Sequence, residues 1–155
     1  MVLALQGSNS FNVVVLESRQ ALIDFHNGKG PYPNKVKPFS FLEFYRSIKS
    51  SETMSHFGDS KPFAPNGTQE WSIKKLNEMR DEFIHFLPKS WTIELSGMPS
   101  IVEDCLNIID FLVNESGNID LPHNESDFQI NVSTLVEKIR LQMQDIKVAL
   151  SKEAS

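Results

Sequence analysis

This sequence predicts an all-α fold, an antiparallel bundle of about five helices, and three observations predict it. Apolar residues recur at steps of three and four through five separate stretches. Clusters of Gly, Pro, Ser and Asn separate those stretches, and only one short segment alternates as a strand would. Hydrophobic content of 40% and charged content of 23% are those of a globular domain. A length of 155 residues suits one ordinary core, so residues 1–155 are read as a single domain.

The first helix is expected from about Ser10 to His26, with Phe11, Val15, Ser18, Leu22 and Phe25 along one face. Gly28-Lys29-Gly30-Pro31 stops it. A second helix starts at Ser40, where Ser40 and Glu43 have the spacing of a capping box and Phe39 and Phe44 that of a hydrophobic staple. It carries Phe41, Phe44, Tyr45 and Ile48. The connection from Ser50 to Gln69, rich in Ser, Gly, Pro and Asn, has a length that goes with mobility or function. A third helix runs from about Glu70 to Leu87 and ends at Pro88. Trp91, Ile93 and Leu95 then alternate with polar residues, which predicts a short extended segment. Gly97 and Pro99 break it and begin a fourth helix, from about Pro99 to Glu115, with Ser100 and Glu103 as its capping box and Val102, Leu106, Ile109 and Val113 on one face. After a connection from Ser116 to Glu125, the last helix reaches Leu150 along a seam of Val132, Leu135, Ile139, Met143, Ile146 and Leu150. Amphipathic helices of this kind bury their stripes against one another.

The third helix holds the candidate site. Its apolar steps Ile73, Leu76, Phe83 and Leu87 leave a gap that falls on Arg80. A permanent cation is therefore expected at a seam position, where a charge is costly unless an anion pairs with it. His85 follows on the same helix, rotated by about 140° from Arg80. An Arg and a His near one helix end can present two donors to one phosphate. In RNA cleavage a His takes or gives the proton, and a guanidinium holds charge on the phosphate oxygens without a metal. The blander account pairs Arg80 with a helical carboxylate and leaves His85 on the surface.

The stretch from Leu76 to Trp91, with Arg80-Asp81-Glu82-Phe83-Ile84-His85 at its centre, resembles the signature helix of HEPN-domain proteins. The likeness extends to the helix order over most of the chain, while its specific motif is only Arg80 to His85. It implies a homodimer whose two motif helices meet in one composite site. It further implies a metal-independent endoribonuclease of the toxin or defence kind, with Arg80 and His85 catalytic and Asp81 supporting. The binding partners so implied are RNA or a nucleotide, and an antitoxin or nucleotidyltransferase protein. Other members of the family are catalytically silent modules that bind a nucleotide or a protein, and that is the alternative. Glu78, Asp81 and Glu82 crowd the motif with negative charge, roughly balanced by Lys74, Lys75 and Lys89.

Composition excludes several other classes. From Lys29 to Lys61 there are six Lys/Arg against three Asp/Glu, and from Thr92 onward four against eleven. That acidic back half argues against broad nonspecific nucleic-acid binding but leaves room for a local anion site. The basic stretch, with Tyr32, Tyr45 and Arg46, reads more simply as a solvated face than as a polyanion guide. Trp71 and Trp91 flank the motif helix as packing residues, with stacking on a base as the second use. His26, His56 and His123 lack ligand spacing, so no metal is expected, and nothing calls for a cofactor. No apolar run is long enough to span a bilayer, and Met1 to Gly7 lacks the build of a signal peptide. A cytoplasmic protein without internal disulfides is the expectation, since Cys105 is the sole cysteine and sits on the apolar side of a helix.

Overall fold

The computed structural model describes residues 1–6, 10–55, 57–84, 97–119 and 125–153. Among them the chain is an all-α bundle: helices α1 (Val2–Gln6), α2 (Leu16–His26), α3 (Phe41–Ile48), α4 (Gln69–Ile84), α5 (Met98–Asp110) and α6 (Glu125–Glu153). The alternating segment from Trp91 to Leu95, and Pro88 before it, lie outside the described residues.

The expected first helix divides in two. Ser10–Val13 forms a 3-10 turn and α2 proper begins at Leu16. Between them, Val14 bridges to Pro38, and the Val15 N–H donates to the Lys37 carbonyl at 3.0 Å. The returning 30s segment thus uses backbone groups that a longer helix would need internally. Gly28, at φ +69°, stands just past the end of α2, in a conformation that favours glycine. Five residues are too few to show a helical period, so the sequence carries no sign of α1. It nonetheless supplies Ala4 and Leu5 to the core.

The second helix forms as its sequence predicts. The Ser40 Oγ accepts from the Glu43 N–H and the Glu43 carboxylate accepts from the Ser40 N–H. Those hydrogen bonds hold the Glu43 carboxyl below its ordinary range. Phe39 and Phe44 meet edge to face at 5.6 Å, completing the staple.

The long connection after α3 is a packed element. Met54 and Phe63 are buried, and the core joins them to Ala4, Leu5, Tyr45, Ile48, Ile73, Ile108 and Leu112. Buried Asn118 ties this connection to the chain after α5. Its amide donates to the Met54 carbonyl at 3.1 Å, and its carbonyl oxygen accepts from Ser60 Oγ at 2.9 Å.

In α5, Gly97 stands at the N-cap without a side-chain bond and Pro99 occupies the first turn. The expected Ser100–Glu103 box is not what begins this helix, because Ser100 already lies inside it and Glu103 pairs with Arg140 instead. The helix continues past Asp110 as a π turn, Phe111–Glu115, marked by the Ser116 N–H donating to the Phe111 carbonyl at 2.9 Å. Pro99, Ile101, Leu106, Ile108, Leu112 and Val113 are the buried positions, whereas Ile109 of the expected face is exposed. Cys105 packs against the core, and burial raises its thiol pKa.

α6 runs antiparallel to α5. Gln129 donates to the Val113 carbonyl, Ser133 accepts from Asn114, and Arg140 reaches Asn107 and Glu103. Val136, rather than the expected seam, is its buried apolar residue.

Candidate functional site

α4 is anchored at its beginning. Buried Ser72 donates to Asp104 Oδ2 on α5 at 2.5 Å, and Thr68 donates to the same oxygen at 2.8 Å. The Gln69 side chain accepts from the Asn66 N–H at 2.9 Å, and Ile73 enters the core. Beside this anchor, Glu70 receives Lys49 Nζ at 2.9 Å and Tyr45 OH at 3.5 Å. Lys49 also stands over the Tyr45 ring, 4.6 Å from its centroid. The Lys49 hydrogen bond lowers the Glu70 pKa. Burial first, then the Glu70 charge, pushes the Tyr45 hydroxyl up to about 12.

Arg80 does not occupy a buried seam. The row that begins at buried Ile73 is half-buried at Leu76 and has left the core by Arg80, whose side chain is 51% exposed. The desolvation cost expected for it therefore falls away. Its Nη1 donates to Asn77 Oδ1 at 3.5 Å and lies 3.9 Å from Asp81 Oδ1. Asn77 Nδ2 in turn donates to Asp81 Oδ2 at 2.9 Å. Arg80 and Asp81 are thus brought together, with Asn77 bridging them, a residue that sequence reasoning did not single out although its i,i+3 and i,i+4 spacings are helical neighbours. His85 lies outside the described residues.

The surface around Arg80 is mixed. Glu78, Asp81 and Glu82 are exposed, as are Lys74 and Lys75. The last described turn adds two apolar side chains, Phe83 at 54% and Ile84 at 59% exposure. Trp71 is exposed near the start of α4, about two and a half turns before Arg80 and on the opposite side of the helix. It lies within α4 rather than beside it, and it is not packed in the core as expected. Tyr45 is buried, so it is not part of a basic face, whereas Lys29, Lys35, Lys37, Arg46 and Lys61 are exposed.

Among the described residues no group of three or more His, Cys, Asp or Glu is placed to hold a metal ion. No described helix is long and apolar enough to cross a membrane. No protein-family model, curated protein or solved structure matches the chain.

Proposed function

We propose that this chain is a HEPN-type helical module that works as a homodimeric, metal-independent endoribonuclease. Arg80 holds the scissile phosphate, His85 acts as general acid or base, and Asp81 helps to orient the cation. The observation that supports this reading is the state of Arg80. Its guanidinium is half exposed on a helix anchored at the other end, and its two described contacts, at 3.5 Å and 3.9 Å, are long. A phosphate offering short charge-assisted bonds displaces such contacts at little cost. Exposed Phe83 and Ile84 beside it suit a helix end that meets its symmetry mate.

The test is cleavage of a mixed RNA pool in EDTA. Arg80→Ala and His85→Ala are each expected to lower the rate by about a hundredfold or more. Undiminished cleavage by either variant removes the assignment. Toxicity on expression, relieved by His85→Ala, is expected alongside, as is association with an antitoxin or nucleotidyltransferase protein.

A second reading is favoured by the carboxylates. Glu78, Asp81 and Glu82 surround Arg80, and with Lys74 and Lys75 they leave this stretch of α4 without net positive charge. Such a surface suits a catalytically silent module that binds a nucleotide or a protein partner. Lack of cleavage by the wild-type chain, together with Arg80-dependent binding of a nucleotide or partner, selects this reading.

A further inference from the structure

α6 meets α5 and the π turn through Gln129, Ser133, Val136 and Arg140. Two exposed apolar groups flank that contact, Ile130, Leu141 and Val148 on one side and a longer stripe on the other. Leu135 is 57%, Ile139 37% and Ile146 46% exposed, and Val132 is half-buried. At about 100° per residue these four lie within a sector of about 60°, centred about 100° around the helix from the α5-facing side. They also keep a heptad. Val132, Ile139 and Ile146 occupy one seam position, and Leu135, Gln142 and Ala149 occupy the other.

We propose that a second copy of this chain covers the stripe, with the two α6 helices antiparallel. In that arrangement one seam position faces the other. Val132 meets Ala149 of the second copy, Leu135 meets Ile146, and Ile139 meets Gln142, each pair occurring twice by symmetry. The overlap from residue 132 to 149 is about 27 Å long. Charge decides between the two directions. The antiparallel register brings Lys138 beside Asp145 of the second copy, twice, and both residues are exposed on the flank away from α5. A parallel pair sets Lys138 beside Met143 and Asp145 beside Leu150, with no such match. Gln142, next to the two-fold axis, is the polar seam residue that fixes register at some cost in affinity. This contact lies on α6, apart from the end of α4, and stands independently of the ribonuclease reading.

Sedimentation equilibrium of the full chain tests it. The wild type is expected to associate through α6 with a constant of about 10–100 μM, and Leu135→Lys/Ile146→Lys to lose that step, keeping at most the dimer proposed through α4, while circular dichroism keeps its helical signal. Lys138→Asp places like charges together twice and is expected to weaken the dimer about tenfold. Lys138→Asp/Asp145→Lys is expected to recover the wild-type constant to within about threefold. The charge exchange alters exposed residues only, so it decides the matter even if the double lysine variant fails to fold. A wild type that stays monomeric at about 100 μM overturns the proposal. So does a charge exchange that associates no better than Lys138→Asp, or a dimer indifferent to lysine at 135 and 146.

Discussion

The two halves of α4 differ more than their sequences do. Both carry apolar residues at helical spacing, Ile73 and Leu76 in the first half, Phe83 and Ile84 in the second. The first half is closed in by α3 and α5, with Ser72 and Ile73 buried and Asp104 receiving two hydroxyls. The second half carries Arg80 and ends with Phe83 and Ile84 exposed. A helical stripe states that a helix has something to cover it. It does not state whether the cover comes from the same chain.

The sharpest way to break this contrast is to truncate one isoleucine in each half. Ile73→Ala is expected to cost about 2–5 kcal/mol in urea unfolding, because it opens a cavity among Tyr45, Phe63 and Ile108. Ile84→Ala is expected to change stability by less than about 0.5 kcal/mol at concentrations where the chain is monomeric. A large loss at Ile84 under those conditions would show that the second half is also covered from within.

Next in size is the anchor itself. Asp104→Ala removes the acceptor of the buried Ser72 hydroxyl and is expected to cost about 1–3 kcal/mol. Asp104→Ala with Ser72→Ala should recover part of that loss, because no buried donor is then left unpaired.

The pH dependence of the contact between α3 and the first half of α4 has two signs. The Tyr45 pKa is raised from 10.0 to about 12 in the folded chain, so the neutral hydroxyl contributes stability that is complete below pH 10 and lost as pH rises through about 12. Absorbance titration of a Tyr32→Phe variant, which leaves Tyr45 as the only tyrosine, should give that midpoint. Glu70 shifts the other way. Its lowered pKa contributes stability that is present above the ordinary 4.5 and lost as pH falls below that value through the folded one. Its side chain is 44% exposed, so the effect is small, about 1 kcal/mol or less. Glu70→Gln should be the less stable form near neutrality and match the wild type in acid.

The smallest effect is expected where function is proposed. Arg80→Ala should leave unfolding within about 0.5 kcal/mol of the wild type, since its pairing with Asp81 is exposed and long. A loss above about 2 kcal/mol would mean that Arg80 is a structural pin.

Local rules made several features readable in advance. Ser40, Glu43, Phe39 and Phe44 lie within six residues of one another, and so their capping box and staple depend on nothing distant. Gly28 past the end of α2 is likewise a local stop. Ser100 and Glu103 obey the same spacing rule, yet Pro99 starts the helix earlier and Arg140 engages Glu103. The Asn118 ties across Met54 and Ser60 join segments far apart in sequence and left no pattern to read. At the site, Arg80 and Asp81 are legible as helical neighbours, while the exposure of Arg80 is not, because periodicity does not record where a core ends.

The sequence by itself determined that the chain is helical, where α2 stops and α3 starts, and that Arg80 and Asp81 share a helix turn. Those properties follow from backbone preferences and contacts a few residues apart. Only the tertiary structure decided which stripe each helix buries. α6 turns Val136 and Arg140 to α5 and leaves Leu135, Ile139 and Ile146 exposed, and α4 carries Arg80 out of the core. Burial is a property of what stands opposite, and residues distant in sequence supply it.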